Sequence, residues 1–274
     1  MPALSSAEKA PGGPGSMPLA ARLGNDALAG SGAAVALSPF VCTIDKSIIS
    51  NASGRQPLVP CLQENFRMLF TRPHQFLMLR EFRLILGVYS ATYISANWTD
   101  SLCRHHFDVN PMWPVLVVTT AVNMTTCIAK DKAFTQMFGT KAASRLPLLT
   151  YLLFAVRDSL TVFASFSLVP VVGDWIASRS RQMSQDRAKQ AAQLTCPMGM
   201  QFLSTPLHLY ALNLYNAPTA GVADHAAFIR KVYVQTVSAR IARIAPAFGF
   251  GGIGNTYFRQ LLGNVPTRGR AAPE

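Results

Sequence analysis

Residues 112–129 read MWPVLVVTTAVNMTTCIA, a run with no charged side chain. Crossing a hydrocarbon core takes about 20 mostly apolar residues in a helix, and this run has that length and composition. The rest of the chain supports the same environment. Apolar residues make up 50% of the 274 positions and charged residues only 14%, where an ordinary soluble domain carries about 25% charged residues. Mean hydropathy is +0.22. So few charges could hardly cover a water-facing surface. The net charge of +12 would suggest nucleic acid in a soluble protein. Here the basic residues lie between apolar runs rather than in one stripe, as charges flanking a membrane do, so nucleic acid is excluded as a partner and the lipid bilayer takes its place.

Working outward with the same ruler gives five more spans, at 27–44, 84–102, 146–172, 194–215 and 241–262. The first contains the small-residue patch 29–34, AGSGAA, suited to close helix contact. Between spans one and two, Leu62, Phe66, Leu69 and Phe70 recur at helical spacing beside Glu64, Arg67 and Arg72, which predicts an amphipathic helix at the interface. A second such helix is expected between spans five and six, where Phe228, Ile229, Val232, Tyr233 and Val237 alternate with Arg230, Lys231 and Arg240. The loops after odd-numbered spans also carry Lys130, Lys132, Lys141 and Arg145, and the opposite side carries Arg104, Arg179, Arg181 and Arg187. The more basic odd-loop side is expected to face the matrix or cytosol. Residues 1–24, rich in Ala, Pro, Gly and Ser, are expected to form a disordered tail, and 263–274 a C-terminal tail.

Asp45, Asp131 and Asn213 each close an odd span and stand 86 and 82 residues apart. The even spans share an arginine-led entry at Arg83, Arg145 and Arg243. The expected fold is therefore all-α, a six-transmembrane-helix bundle (25–262) of three two-helix repeats at about 25–105, 106–175 and 190–262. This pattern resembles the mitochondrial carrier superfamily. The segment from Arg240 through Pro246 to Tyr257 looks like a closing even helix of carriers, and 30–46 like an opening odd helix. The resemblance implies a multi-pass mitochondrial membrane protein, placed in the inner rather than the outer membrane, that moves a small, anionic solute by alternating access. The chain departs from the carrier pattern of proline, then acid, then base. Pro39 is followed at those offsets by Val41 and Ile44, Pro206 by His208 and Ala211, and span three has no proline there. The departures leave a second reading open, a carrier fold without transport that serves as membrane scaffold, receptor or insertion factor.

Arg157 and Asp158 stand near the middle of span four, where an ionisable group costs about 2.5–3.5 kcal/mol on insertion scales. Arg157 is therefore either a contact for an anionic solute in a central cavity or a structural bridge to another span. Asn97, Asn123 and Asn255, inside spans two, three and six, either line a solute path or join helices through their amides. Asp45 with Lys46 and Asp131 with Lys132 are candidates for inter-helix ion pairs that gate one side. Pro39, Pro206 and Pro246 are expected to kink their helices. The five cysteines show no paired spacing, and Cys103 with His105 and His106 falls short of the three or four convergent ligands of a metal site. The run GFGGIG at 249–254 lacks the preceding strand of a dinucleotide fingerprint and the following lysine of a phosphate loop. With no nucleophile beside a base and no paired carboxylates, neither catalysis, a cofactor nor a metal is expected.

Overall fold

The computed structural model describes residues 17–139, 146–180 and 183–264. Most of both expected tails, together with Lys141, Arg145 and Arg181, lies outside the described residues. Within them, every regular element is helical.

Small residues and few charges let α1 run unbroken over Leu19–Ala52, with Pro39 inside it. It therefore begins within the segment expected to be a disordered tail. It ends where Gly54 takes φ +74, a left-handed turn that glycine enters without a Cβ penalty. α2 (Leu58–Thr71) is the expected amphipathic helix, with Leu58, Cys61 and Asn65 inward and Phe70 outward. A short α3 (Pro73–Met78) starts on proline at its first turn, where the missing N–H costs nothing, and leads into α4 (Arg80–His105). α5 (Met112–Phe138) holds the charge-free run; the Asn110 side chain accepts the Met112 N–H at its start (2.9 Å). α6 (Leu148–Phe163) continues through a π-helical turn, Ala164–Leu168, into α7 (Val169–Arg179). α8 (Gln185–Asn216) starts on Ser184, whose side chain accepts the Arg187 N–H, a standard N-cap bond. Pro197 and Pro206 lie inside it. α9 (Val222–Pro246) passes through a second π-helical turn, Ala247–Ile253, into α10 (Gly254–Leu261).

Thus Pro246 stands where the α-helix gives way to a π turn, and GFGGIG is helical rather than a loop. The second expected interfacial helix is a correction. Residues 228–240 belong to α9 and pack along α8, and Arg240, read as part of a membrane-surface face, is buried. Its charged neighbours Arg230 and Lys231 are outward, so the sequence pattern marked an exposed face but misassigned one residue.

The rods pack in a closed order. α1 lies along α4 and α4 along α5; α5 meets α6 over a short stretch. The α6–α7 rod lies on α8, α8 on α9, and the α9–α10 rod returns to α1. The close approach of α1 to α4 depends on Gly30, where a Cβ would stand 3.0 Å from the Ile94 backbone nitrogen. Gly251 has a similar role in the second π turn, since a side chain there would collide with the Tyr93 hydroxyl of α4. The apolar core joins Leu37 and Val41 of α1 to Ile85, Phe134, Phe154 and Leu212 from the surrounding helices.

Two helices, α1 and α5, are long and apolar enough to cross a membrane. Because α5 and α6 meet so briefly while α1–α4 and α8–α9 pack closely, the packing does not establish three equal two-helix repeats. Trp113 and Val117 of α5, Leu148 and Leu152 of α6, and Val171 and Trp175 of α7 are exposed. An apolar band that large on a monomer's outside marks a surface made for lipid or a partner.

Candidate functional site: a buried ion-pair network

Charged residues that close or interrupt apolar runs meet between the helices near the C-terminal end of α1. Asp45 of α1 receives Lys130 of α5 at 2.9 Å and Arg243 of α9 at 2.7 Å. Asp131, next to Lys130 on α5, pairs with it at 2.8 Å and with Arg157 of α6 at 2.6 Å. Arg157 also folds onto its neighbour Asp158, donating from Nε (2.9 Å) and a terminal nitrogen (2.6 Å). Its other terminal nitrogen lies 2.9 Å from His208 Nδ1 on α8. A guanidinium only donates, so His208 Nδ1 accepts and its ring proton sits on Nε2. The network thus ties α1, α5, α6, α8 and α9 to one another. Asp45, Asp131, Lys130 and Arg157 are all buried, and ions removed from water persist only when paired in this way.

Arg240 lies in the same region, and no carboxylate among the described residues pairs with it. Its Nε donates to Gln201 Oε1 at 2.9 Å, and a terminal nitrogen donates to Ser204 Oγ at 3.4 Å. Gln201, Ser204 and His208 follow one another at helical spacing on α8 and are all buried. They form a polar stripe running from Arg240 on one side to Arg157 on the other.

A second network stands at the opposite end of α1. Asp26 accepts from Arg259 of α10 (2.8 Å), from Asn264 (2.8 Å) and, over a very short bond, from Ser101 of α4. Arg259 also reaches Asp100 at 3.0 Å. Asp26 and Asp45 are 19 positions apart on one helix, about 28 Å at the α-helical rise. That is close to the thickness of a hydrocarbon core, about 30 Å.

The residues expected to matter fall into three groups. Asp45, Asp131 and Arg157 are brought together. Lys46 and Lys132 are not: Lys46 pairs with Glu81 (2.9 Å), and Lys132 lies over the Tyr151 ring. The lysine that joins the two aspartates is Lys130. Asn97 and Asn255 bond each other reciprocally at 2.8 Å, linking α4 to α10 beside Asp26, whose backbone carbonyl Asn97 also bonds (3.1 Å). Asn123 accepts from Thr92 (3.3 Å) and lies by Cys127, so it ties α5 to α4.

Sequence reasoning missed Lys130, Arg243, Arg240 and the Asp26–Arg259 pair. Adjacent residues on a helix differ by about 100° in direction, so Lys130 and Lys132 could be separated only once the inward side of α5 was known.

An apolar exterior around an interior of ion pairs, with Arg240 alone of its cations lacking a carboxylate among the described residues, is the pattern of a helical membrane protein. A family model described as "Probable citrulline exporter" matches residues 29–263, and the chain belongs to that family. No curated protein and no solved structure matches the chain. The family assignment overturns the resemblance to mitochondrial carriers. The Asp-Lys pairs at 45–46 and 131–132, expected as gate candidates, do not act as units: Asp45 and Asp131 share Lys130, and Lys46 and Lys132 have other partners. The inner-membrane placement rested on that resemblance and falls with it.

Proposed function

We propose that the chain exports a small neutral amino acid of the citrulline type, with all six rods crossing the bilayer around the buried network. The observation that carries this reading is the pair of ion networks about one hydrocarbon thickness apart on α1, set in a chain of the exporter family. Each network joins helices that are distant in sequence, so each can hold one end of the bundle shut. Breaking one while the other stays closed would expose the polar centre to one side at a time. Networks of this kind serve as two-state elements because packed interfaces have discrete arrangements. The closed order of packing supports six spans, as does the apolar band on α5, α6 and α7. The π turns lie within two of these rods, and π-helical insertions mark functional sites in many helices.

The test is transport by the purified chain in liposomes loaded with radiolabelled citrulline. Counterflow with unlabelled citrulline outside is expected, with loss in a protein carrying Asp45→Asn and Asp131→Asn together. A chain that remains folded yet moves neither citrulline nor any other neutral amino acid would end this reading.

A further inference from the structure

The region of the Asp45–Asp131 network holds four cations, Lys130, Arg157, Arg240 and Arg243, against three carboxylates, Asp45, Asp131 and Asp158. Among the described residues, every one of these cations except Arg240 has a carboxylate within ion-pair distance. Arg240 is 4% exposed, and its two bonds go to the neutral side chains of Gln201 and Ser204. Burying a charge without an opposite charge is strongly unfavourable, so this position is built to be completed by an anion. Two of the five guanidinium N–H groups are used, and a guanidinium presents paired donors that match a carboxylate.

A second observation concerns the same helix faces. Thr236 stands one turn before Arg240 on α9, and Thr205 one turn after Gln201 on α8. The hydroxyls of both are buried without a hydrogen-bond partner. Buried polar atoms are nearly always bonded, and these two, among ten such side-chain atoms in the described residues, stand one helix turn from Gln201 and Arg240, adding unused polar capacity to the faces that hold the unpaired guanidinium.

We infer that Arg240, held by Gln201 and Ser204, receives the carboxylate of the transported amino acid. The inference rests on the proposed export function and deepens it by naming the residue that selects the substrate class. Arg157, the residue expected from sequence to contact an anion, already has two carboxylates and a histidine; Arg240 has none. A bound carboxylate would give Arg240 the counter-charge it lacks, while the α-ammonium of the same amino acid leaves the net charge of the region unchanged.

The experiment compares L-citrulline with citrulline amide, in which a carboxamide replaces the carboxylate. Competition against labelled citrulline is measured in liposomes for the wild type, Arg240→Lys and Arg240→Gln. Ligand-induced shifts in melting temperature are measured for the same proteins in detergent. The wild type is expected to favour the acid over the amide by about tenfold or more, since a site built to bond one group rejects the analogue lacking it. Arg240→Gln should lose that preference, and Arg240→Lys should keep part of it.

An Arg240→Gln protein that transports within about twofold of wild type and still prefers the acid overturns the assignment. If Arg240→Gln does not fold, Arg240→Lys decides through its melting shift. An undiminished, carboxylate-dependent shift sinks the inference, and a reduced one upholds it. Failure of the wild type to move citrulline or any other neutral amino acid would refute the export proposal alone. Stabilisation of the wild type by small carboxylates, lost in Arg240→Lys, would still support the anion site, and its absence from the wild type would overturn it.

Discussion

Asp131 shows how far a single side chain can decide stability here. It faces Lys130 and Arg157 at 2.8 and 2.6 Å and is 1% exposed. Replacing it by Asn leaves two buried cations short of a counter-charge. Asp131→Asn is therefore expected to destabilise the detergent-solubilised protein by about 3–5 kcal/mol, the cost of breaking a buried pair from one side. Adding Arg157→Gln should restore part of the loss, because the second change removes one of the stranded charges. Equilibrium unfolding of the two single variants and the double variant measures this as a coupling energy. Gly30 decides by size rather than charge. With a Cβ placed 3.0 Å from the Ile94 backbone, Gly30→Val must push α1 off α4. It is expected to cost about 1–3 kcal/mol, as overpacking does, and to lower the melting temperature. A neutral result would mean that the two helices do not rely on this contact.

At the scale of elements, α5 separates a lipid-facing role from a core role. Within its apolar run only Thr119 is buried, and Val117 is 63% exposed. Val117→Lys is expected to impair membrane insertion by about 2.5–3.5 kcal/mol, readable in a glycosylation-mapped insertion assay. A lysine tolerated there would mean that this face meets water. The polar end of the same helix behaves differently, because Lys130 and Asp131 turn inward toward α1 and α6. The two networks also bind different sets of elements: Asp26 joins α1, α4 and α10, and Asp45 with Asp131 joins α1, α5, α6 and α9. Asp26→Asn should therefore loosen one end of α1 alone. Buried Cys103 of α4, close to Ser101 and Asp100, is expected to become more reactive toward an impermeant maleimide, while buried Cys42 near Asp45 stays protected. Equal labelling of both would show that the ends are not independent.

For the whole molecule, the expected outcome is solute movement coupled to rearrangement of both ends. Joining α1 and α9 with a short cross-linker, through Ile48→Cys and Ala239→Cys, which share an apolar cluster outside the ion pairs, in an otherwise cysteine-free chain, should arrest transport, and cleaving the linker should restore it. Unimpeded transport by the cross-linked protein would rule out opening at this end. How much of this molecule the sequence disclosed depends on the range of the physics involved. The all-helical fold, the α2 helix and the unusual cost of Arg157 and Asp158 were legible, because hydrophobic runs, helical spacing and charges within apolar segments act over one helix turn or one bilayer thickness. Asp45, Asp131 and Arg157 were legible as charges needing partners. The choice of Lys130 over Lys46 and Lys132, the pairing of Asp26 with Arg259, and the burial of Arg240 without a counter-ion were decided only by tertiary structure. They depend on the rotation of each helix about its axis, and packing against distant helices sets that rotation.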